Sequence, residues 1–426
     1  MASATPSFEL TYSDLPPLFH RAVAADPVAN PAFVLRNEAL AQQLGLDVEW
    51  LRSNDALQAL AGNAPLPGAT PVAMAYSGHQ FGGFNPLLGD GRAQLAGEWL
   101  APDGTRYDLH LKGSGATLFA RNGDGRATLS AMLREYIVSE AFAGLGIPST
   151  RSLAVVATGE LVYRQRKEPG AVLTRVAKSH VRVGTFQLAA VNRDREALDA
   201  LMTRELARNF PPAPHGLAPA RHFLRSVAAR QAKLIAQWMG VGFIHGVMNT
   251  DNAAISGETI DYGPCAFMNA YDPKTVFSSI DTQGRYAFGN QPALAGWNVA
   301  RLAEALLPLL HTNEDKALEL ATEVVNGFAP AFDRAWNEAL TRKFALRAFD
   351  AGLIGGFMSL LAENRGDYTL AFRSLADAAA GDEQRLLDLL GNSAQAAEWI
   401  SRWQTSRTDD AAAQLRNINP KFIPRN

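Results

Sequence analysis

The pattern of apolar and polar positions predicts a strand-rich region in the first half of the chain. The segments "RAQLAGEWL" and "RYDLHLKG" alternate as strands do, and they flank the turn signal "APDGT". The following "RATLSAMLREYIVSEAFAGLG" has apolar residues at helical spacing and stops at Gly144 and Gly146. The runs "SLAVVA", "LVYRQR" and "AVLTRVA" then predict a meander of three strands. Residues from about 71 to 177 are therefore predicted to form a hairpin, one helix and further strands.

The segments on both sides of this region are predicted to be mainly helical. Before about Pro71 the chain is rich in prolines and loops, with one clear helix in "NEALAQQLGL". After about Lys178, amphipathic helical patterns recur almost to the end. This order predicts an α+β, protein-kinase-like bilobal fold with a small β-rich N-lobe, one key helix and a large helical C-lobe. We assign the N-terminal extension and N-lobe to residues 1–178 and the C-lobe to residues 179–426.

Composition narrows the class of protein without identifying it. The 426 residues are 47% hydrophobic and 19% charged, as in soluble globular proteins. The formal net charge of −2 gives no electrostatic reason to expect a nucleic acid or an anionic membrane as partner. We see no apolar run near the roughly 20 residues that span a bilayer and no signal peptide. The single cysteine, Cys265, excludes an internal disulfide and fits a cytoplasmic location.

The stretch "HGVMNTDNAAISGETIDYGPC" has the outline of a kinase catalytic loop followed by a metal-binding Asp-x-Gly motif. His245 and Asn252 have the kinase spacing, but Val247 stands where kinases carry the catalytic aspartate. The amide oxygen of Asn252 and the carboxylate of Asp261 are hard donors that suit Mg²⁺. Asp251 is the only nearby acid that could accept a proton from a substrate hydroxyl, although turn-capping aspartates also occupy such positions.

A lysine and a glutamate occupy the positions at which kinases pair these residues. Lys112 ends the strand "YDLHLK", and Glu135 lies in the middle of the next helix. The alternative is that both are ordinary surface residues. The intervening "LKGSGATLFARNGDGRATL" is rich in glycine, which lets backbone N–H groups approach phosphate oxygens. Asp124 in this segment could reach a ribose or a metal-bound water.

Two further features, a pair of arginines and a repeated pentapeptide, each have both a functional and a purely structural interpretation. Arg175 and Arg182 in "LTRVAKSHVRVGTF" could form a fork for phosphate, or they could be solvated cations on an edge strand. The pentapeptide "GDGRA" occurs at positions 89–93 and again at 123–127. Two matching Asp-Gly turns would explain the repeat, but five identical residues exceed what turns require.

Four long motifs together resemble one known protein family, although no single residue in them identifies it. They are "YSGHQFGGFNPLLGDGRAQLAGE", "DLHLKGSGATLFARNGDGRATLSAMLREYIVSEA", "LTRVAKSHVRVGTF", and "HGVMNTDN" with "TIDYGPCAF". They resemble the SelO (YdiU) family of protein-kinase-like protein adenylyltransferases, through the catalytic region and more loosely to Phe422. The resemblance implies that ATP binds in the reverse of the kinase orientation. AMP would then pass to Ser, Thr or Tyr hydroxyls of proteins with loss of pyrophosphate, although some members are reported to transfer UMP with Mn²⁺.

The resemblance also implies roles for individual residues. The implied nucleotide-binding residues are Gly89, Gly91, Arg92, Lys112, Asp124, Gly125, Arg175, Arg182 and Asp261. Asp251 would be the proton acceptor, Asn252 and Asp261 would hold Mg²⁺, and Glu135 would support Lys112. In this arrangement both copies of "GDGRA" line one nucleotide site. A reversed nucleotide also explains why Val247 can replace the usual aspartate.

Two departures from the family pattern are visible. The chain ends at "NPKFIPRN", where family members usually continue, and we expect the missing tail to loosen the helical lobe. Asn269 stands where the family usually has an acid, and Cys265 has no partner for redox control. Two other functions stay open beside AMP transfer. One is an orthodox phosphotransferase, and the other is a nucleotide-binding pseudokinase that scaffolds partners.

Overall fold

The computed structural model describes residues 6–425 and divides into two compact units that interleave along the chain. The first unit contains Met1–Val227, Asn249–Tyr262 and Asn298–Val325. The second contains Ala228–Met248, Gly263–Trp297 and Asn326–Asn426. The two domains predicted from the sequence begin and end at residues 1–5 and 426, which lie outside the described residues. The predicted lobe boundary at residue 178 stays a prediction.

The first unit is built on a seven-stranded antiparallel sheet with the order β1-β3-β6-β7-β9-β8-β2. Its strands are β1 (His20–Ala22), β2 (Ala32–Arg36), β3 (Val72–Met74), β6 (Ala93–Leu100), β7 (Arg106–Lys112), β8 (Arg151–Tyr163) and β9 (Lys167–Ala177). A separate hairpin consists of β4 (Gly78–Gln80) and β5 (Gly83–Asn85). The predicted hairpin around "APDGT" is confirmed as the pair β6–β7.

Helices cover both faces of this sheet. The helices of the first unit are α1 (Glu38–Gln43), α2 (Val48–Arg52), α3 (Asn54–Ala61), α4 (Leu129–Gly144), α5 (Val183–Val191), α6 (Arg195–Asn209), most of α9 (Glu314–Asn326), and parts of α7 (Pro219–Gly240) and α8 (Gln291–Leu310). One apolar cluster joins α1–α3 to the sheet through residues such as Leu60, Leu109 and Val172. A further cluster joins α4 to the sheet through Met132 and Leu173. The helix α4 therefore packs against strands β8 and β9 of the sheet.

The predicted meander of three strands is wrong, because "SLAVVATGELVY" forms one long strand, β8. The residues read as a turn, Thr158-Gly159-Glu160, lie in an irregular stretch of that strand. The register with β9 shifts there, between Ala157 and Leu161. Gly159 has a φ of +74°, a left-handed conformation that glycine adopts without strain. The extra residues form a bulge that bends the strand without reversing it.

The segments "AAI" and "TI", which flank Ser256-Gly257 and suggest a small hairpin between Asn252 and Asp261, do not pair with each other. Ala254 pairs instead with Arg182, and Thr259 pairs with Ser149. Both segments thus pair with other parts of the first unit, and these pairings fix the backbone that precedes the Asp-Tyr-Gly motif.

The second unit is mainly helical and has an aromatic core. Its remaining helices are α10 (Phe328–Lys343), α11 (Ala351–Glu363), α12 (Tyr368–Ala379), α13 (Gln384–Leu389), α14 (Ala394–Ser406) and α15 (Ala411–Ile418). Phe344 contacts the rings of Phe357, Phe372 and Trp399 with centroid distances of 4.9, 5.1 and 6.0 Å. A two-stranded ladder of β10 (Phe243–Ile244) and β11 (Ala266–Phe267) completes this unit. The α+β class is confirmed.

One helix among the described residues, Phe288–Leu310, is long and apolar enough to cross a membrane. The search of the sequence for long apolar runs overlooked it. Half of its most apolar window is buried inside the protein. A single helix of this kind is weak evidence for a span, because the core helices of globular proteins pass the same test.

Candidate functional site

A polar cavity of about 410 Å³ lies within the first unit, a size typical of small-molecule sites. The predicted nucleotide, metal and base residues all line it: Gly89, Gly91, Arg92, Lys112, Asp124, Gly125, Arg175, Arg182, Asp251, Asn252 and Asp261. The supporting residue Glu135 is buried beside Lys112. The structure therefore brings together every residue selected from the sequence, while their individual roles stay predictions.

Four charged side chains form a quartet at one wall of this cavity. The Lys112 Nζ lies 2.7 Å from Glu135 Oε2 and 2.7 Å from Asp261 Oδ1. Arg175 donates to Glu135 as well, and its Nη2 lies 3.0 Å from Asp261 Oδ1. We call Lys112, Glu135, Arg175 and Asp261 the charge quartet. Each cation contacts both acids, so the quartet is electrically balanced.

The sheet and α4 explain why these residues meet. On β7, Lys112 pairs with Leu173 of β9, and Arg175 lies two residues further along β9. On α4, Glu135 lies on the buried face with Met132 and Val138, at helical spacing. Residues three positions apart lie on the same face of a helix, so Glu135 is turned towards the sheet together with Met132 and Val138.

Electrostatics keep both acids of the quartet ionised. Lys112 and then Arg175 hold the pKa of Asp261 well below its usual range, against the opposing effect of burial. Burial acts to raise the pKa of Glu135, but Arg175 and Lys112 outweigh it and lower that pKa. Two carboxylates therefore remain charged at the cavity wall at neutral pH.

The Asp-Tyr-Gly motif presents Asp261 in an uncommon backbone conformation. Asp261 has a φ of +65°, which is costly for a residue with a side chain. The next residue, Tyr262, is buried, hydrogen-bonds to Ser149 and packs edge-on against Phe142 at 5.5 Å. Tyr262 thus anchors the turn while Asp261 faces the cavity.

A second buried acid, Asp90, was missed by the sequence analysis. Its carboxylate lies 2.9 Å from His110 Nε2, and it accepts hydrogen bonds from Arg182 Nη1 at 3.3 Å and from the Tyr76 hydroxyl at 3.2 Å. The guanidinium of Arg182 also stacks over the Tyr76 ring at 4.3 Å. Burial acts to raise the pKa of Asp90, but His110 and Arg182 lower it below its usual range. Asp90 therefore orients Arg182 towards the cavity.

The repeated pentapeptide could have pointed to Asp90, because Asp90 and Asp124 occupy the same position in the two copies. Their environments differ. Asp124 is exposed and receives two hydrogen bonds from Arg164, at 2.7 and 2.9 Å. Arg164 was also missed, and it lowers the pKa of Asp124. The two copies line one cavity, as predicted, but one holds a buried arginine and the other a surface arginine.

Asp251 is held by the β4–β5 hairpin. Its Oδ2 accepts a hydrogen bond from Gln80 Nε2 at 3.2 Å. Its Oδ1 is buried and has no hydrogen-bond partner. Burial raises the pKa of Asp251, in contrast to the other cavity acids with shifted pKa values. A carboxylate with a raised pKa and one unpaired oxygen suits proton transfer.

The oxygen donors of the cavity fit Mg²⁺. Within residues 6–425 no group of three or more His, Cys, Asp or Glu side chains is arranged to hold a metal. Mg²⁺ does not need one, since it binds through one or two carboxylates, phosphate oxygens and waters. Asp261 and Asn252 supply a carboxylate and an amide oxygen to one cavity, and Asp251 lines it too.

The fold and the cavity define a kinase-like α+β protein with a site lined by many cations. The family described as "Protein adenylyltransferase SelO" matches residues 3–426. The chain belongs to this family, and it is a nucleotidyltransferase. The family membership and enzyme class predicted from the sequence motifs are thereby confirmed.

Known relatives are consistent with this membership. The chain is 53% identical to "Protein nucleotidyltransferase YdiU" of Rhodopseudomonas palustris (strain BisB5), over 98% of this chain and 87% of that protein. It is 50% identical to the protein of the same name from Anoxybacillus flavithermus (strain DSM 21510 / WK1), over 99% and 87%. Among solved structures it is similar to ROP2 from Toxoplasma gondii, described as a virulence factor with a protein-kinase fold and no enzymatic activity. That similarity has 8% identity and a TM-score of 0.28, and it covers 70% of this chain and 97% of ROP2.

Proposed function

We propose that this enzyme transfers AMP from ATP to Ser, Thr or Tyr hydroxyls of other proteins, with Mg²⁺ as cofactor and pyrophosphate as product. The observation that carries the proposal is the convergence of the predicted residues on one cavity beside the charge quartet. Family membership supports nucleotide transfer, and the family's description as a protein adenylyltransferase supports the choice of AMP.

The cavity is rich in cations that suit a triphosphate. Seven arginine or lysine residues line it: Arg92, Lys112, Arg121, Arg126, Arg164, Arg175 and Arg182. Arg175 and Arg182 are only 3% and 4% exposed. A buried guanidinium that faces a cavity attracts an anionic group strongly, because the low dielectric screens the charge poorly. This supports an orientation in which the terminal phosphate is the buried end of ATP.

The proposed chemistry assigns one proton transfer to this chain. The acceptor oxygen forms a bond to the α-phosphorus, and the bond from that phosphorus to the oxygen bridging to the β-phosphate breaks. The hydroxyl proton moves to Asp251, and pyrophosphate leaves with the electron pair. Asn252 and Asp261 would hold Mg²⁺, which supplies charge neutralisation for the phosphates. Lys112, Arg175 and Arg182 bind and orient the phosphate chain.

The choice of labelled ATP tests this proposal. The protein is incubated with Mg²⁺, casein as acceptor, and ATP labelled at the α- or, separately, the γ-phosphate. We expect protein-bound label from the α-phosphate only. Label from the γ-phosphate only would identify an orthodox phosphotransferase. ATP-dependent thermal stabilisation without any transfer would identify a pseudokinase scaffold. A parallel reaction with α-labelled UTP and Mn²⁺ decides between AMP and UMP.

Two variants separate the base from the metal ligand. Asp251→Ala is expected to lose transfer by about 10²–10⁴-fold while still binding ATP, because only the proton acceptor is removed. Asp261→Ala is expected to lose transfer and also Mg²⁺-dependent ATP binding. Calorimetric titration with ATP, with and without Mg²⁺, measures the difference. Unchanged transfer by Asp251→Ala would remove Asp251 as the base.

The remaining partner and location predictions are also part of this proposal. The net charge of −2 supports an enzyme without a nucleic-acid or membrane partner, and the single cysteine supports a cytoplasmic location. Cell fractionation of the expressed protein is the measurement that checks them.

A further inference from the structure

The β4–β5 hairpin hydrogen-bonds to the segment 249–252, which contains the proposed base Asp251. The backbone N–H of His79 donates to Thr250 Oγ1 at 2.7 Å, and that of Phe81 donates to Asn249 Oδ1 at 3.1 Å. Between them, the side chain of Gln80 donates to Asp251 at 3.2 Å. Three consecutive hairpin residues thus bind three consecutive residues of the 249–252 segment, and only the middle bond reaches the proposed base.

The two oxygens of Asp251 are unequal as a result. Oδ2 accepts the hydrogen bond from Gln80, whereas the buried Oδ1 has no partner. The hairpin backbone is also close to this carboxylate, since a Cβ added at Gly78 would lie 3.0 Å from Asp251 Oδ1 and 3.2 Å from Asp251 Cβ. The side chain therefore has little room on the hairpin side.

A single donor is enough to fix such a carboxylate. The terminal torsion of aspartate is broad and roughly two-fold, so an unrestrained carboxylate exchanges its two oxygens easily. A donor at one oxygen selects one of these orientations. Glutamine is neutral, so it orients the carboxylate without neutralising the charge that accepts the proton. An arginine or lysine in its place would form an ion pair with the base.

We propose that Gln80 is a positioning residue that holds the Asp251 carboxylate in the orientation from which it accepts the proton of the acceptor hydroxyl, an inference that rests on the proposed role of Asp251 in AMP transfer. Gln80 lines the same cavity as Asp251. It acts on the orientation of the base and makes no contact with the charge quartet in the structure. Its loss should therefore slow the chemical step and leave ATP binding intact.

The test uses two substitutions at Gln80 and one matched control. Gln80→Met keeps the length of the side chain without a donor, and Gln80→Glu keeps its shape but places a like charge beside Asp251. The control is Gln187→Met. Gln187 Nε2 hydrogen-bonds to His79 Nδ1 of the same hairpin at 2.9 Å but has no hydrogen bond to Asp251. It therefore measures the effect of loosening the hairpin alone.

Each full-length variant is assayed with α-labelled ATP, Mg²⁺ and casein, and ATP binding is titrated by calorimetry. We expect Gln80→Met to lower kcat by about 10- to 100-fold, the cost of misplacing a catalytic group by about 1 Å. Its KM for ATP and its ATP affinity should change less than about twofold. Gln80→Glu should have a lower kcat than Gln80→Met, and Gln187→Met should stay within about threefold of the wild type.

The possible results distinguish a failure of the positioning role of Gln80 from a failure of the proposed AMP transfer. A kcat near that of the wild type in Gln80→Met or Gln80→Glu would overturn the positioning role, because the side-chain shape would then suffice. An equal loss in Gln187→Met would also overturn it and would assign the effect to the hairpin as a whole. If Gln80→Met fails to fold, as judged by thermal melting, Gln80→Glu decides alone. If the wild type transferred no label from the α-phosphate of ATP, the proposed function itself would be contradicted.

Discussion

Two buried lysines, one in each compact unit, occupy opposite electrostatic environments. Lys112 in the first unit and Lys343 in the second are 5% and 6% exposed. Lys112 contacts two carboxylates, each at 2.7 Å. Lys343 donates to the amide oxygen of Asn419 at 2.8 Å and lies 4.1 Å from the centroid of the Phe372 ring, with no ion pair in the part of the chain that the structure describes.

The difference shows that burial of a lysine is not by itself a sign of function. Burial without a carboxylate lowers the pKa of Lys343 to about 7, so its amine is readily neutral. Asn419 also donates to the backbone oxygens of Lys343 and Phe372, which ties the end of the chain to α10 and α12. Lys343 therefore has a structural role, since it helps to connect the C-terminal segment to α10 and α12. Lys112 is held beside a cavity by two acids that remain ionised, and its proposed role there is to bind phosphate.

The largest expected effect is on activity. Lys112→Met should lower AMP transfer by about 10²–10³-fold, because it removes a buried cation that faces the phosphates. Lys343→Met should leave transfer within about threefold of the wild type, since its contacts lie outside the cavity. Transfer from α-labelled ATP measures both. Equal losses in the two variants would contradict the distinction between the two lysines.

The second effect is on stability in the first unit. Glu135→Gln keeps the shape of the side chain but leaves Lys112 and Arg175 with Asp261 as their only acid. We expect the free energy of unfolding to fall by about 3 kcal/mol, because a buried ion pair loses one partner. The matched control is Glu140→Gln, whose partner Arg151 at 2.7 Å is partly exposed. It should cost less than about 1 kcal/mol. Denaturant unfolding compares the two, and a larger loss in the control would refute this ranking.

The third effect is a pH dependence in the second unit. The pKa of Lys343 is about 7 in the folded protein and 10.5 in its ordinary state. Between these values the unfolded chain binds more protons, so the free energy of unfolding should rise with pH over this window. Below about pH 7 the amine is charged in both states, and its burial is fully unfavourable. Lys343→Met should abolish this rise in thermal melts from pH 6 to 10. An unchanged slope would show that other groups cause it.

The smallest effect comes from making the second lysine resemble the first. Asn419→Asp places a carboxylate at the amine of Lys343, which should raise the pKa of Lys343 and flatten the same pH profile. The aspartate loses the two donors that bind the backbone oxygens, so the net change in stability should be only about 1 kcal/mol. Transfer activity should not change. Lys343→Met with Asn419→Asp serves as the control, and a flattening of equal size with and without the amine would refute the pairing.

Much of the cavity was predictable because its chemistry follows residue type and spacing. The positions of Lys112, Glu135, Asn252 and Asp261 relative to strand, helix and loop signals indicated a kinase-like phosphate and metal site. The helix α4 and the β6–β7 hairpin were also predicted correctly, since apolar periodicity is a local property. The departure at Val247 directed attention to Asp251.

The residues that were missed act through contacts between distant parts of the chain. Asp90 holds Arg182 across 92 positions, and Gln80 holds Asp251 across 171. The division of "SLAVVATGELVY" into two strands failed for a related reason. The bulge at Gly159 is stabilised by pairing with β9, and the local sequence reads as a turn.

The sequence by itself determined the α+β class, the family and those cavity residues that lie in recognisable motifs, because these depend on the order of residue types along the chain. Only the tertiary structure decided which charges are buried and paired. Two lysines that look alike in sequence differ because one is folded against two carboxylates and the other against an amide and an aromatic ring. Burial and the distance to an opposite charge set the energy of an ionised group, and both are properties of the folded chain.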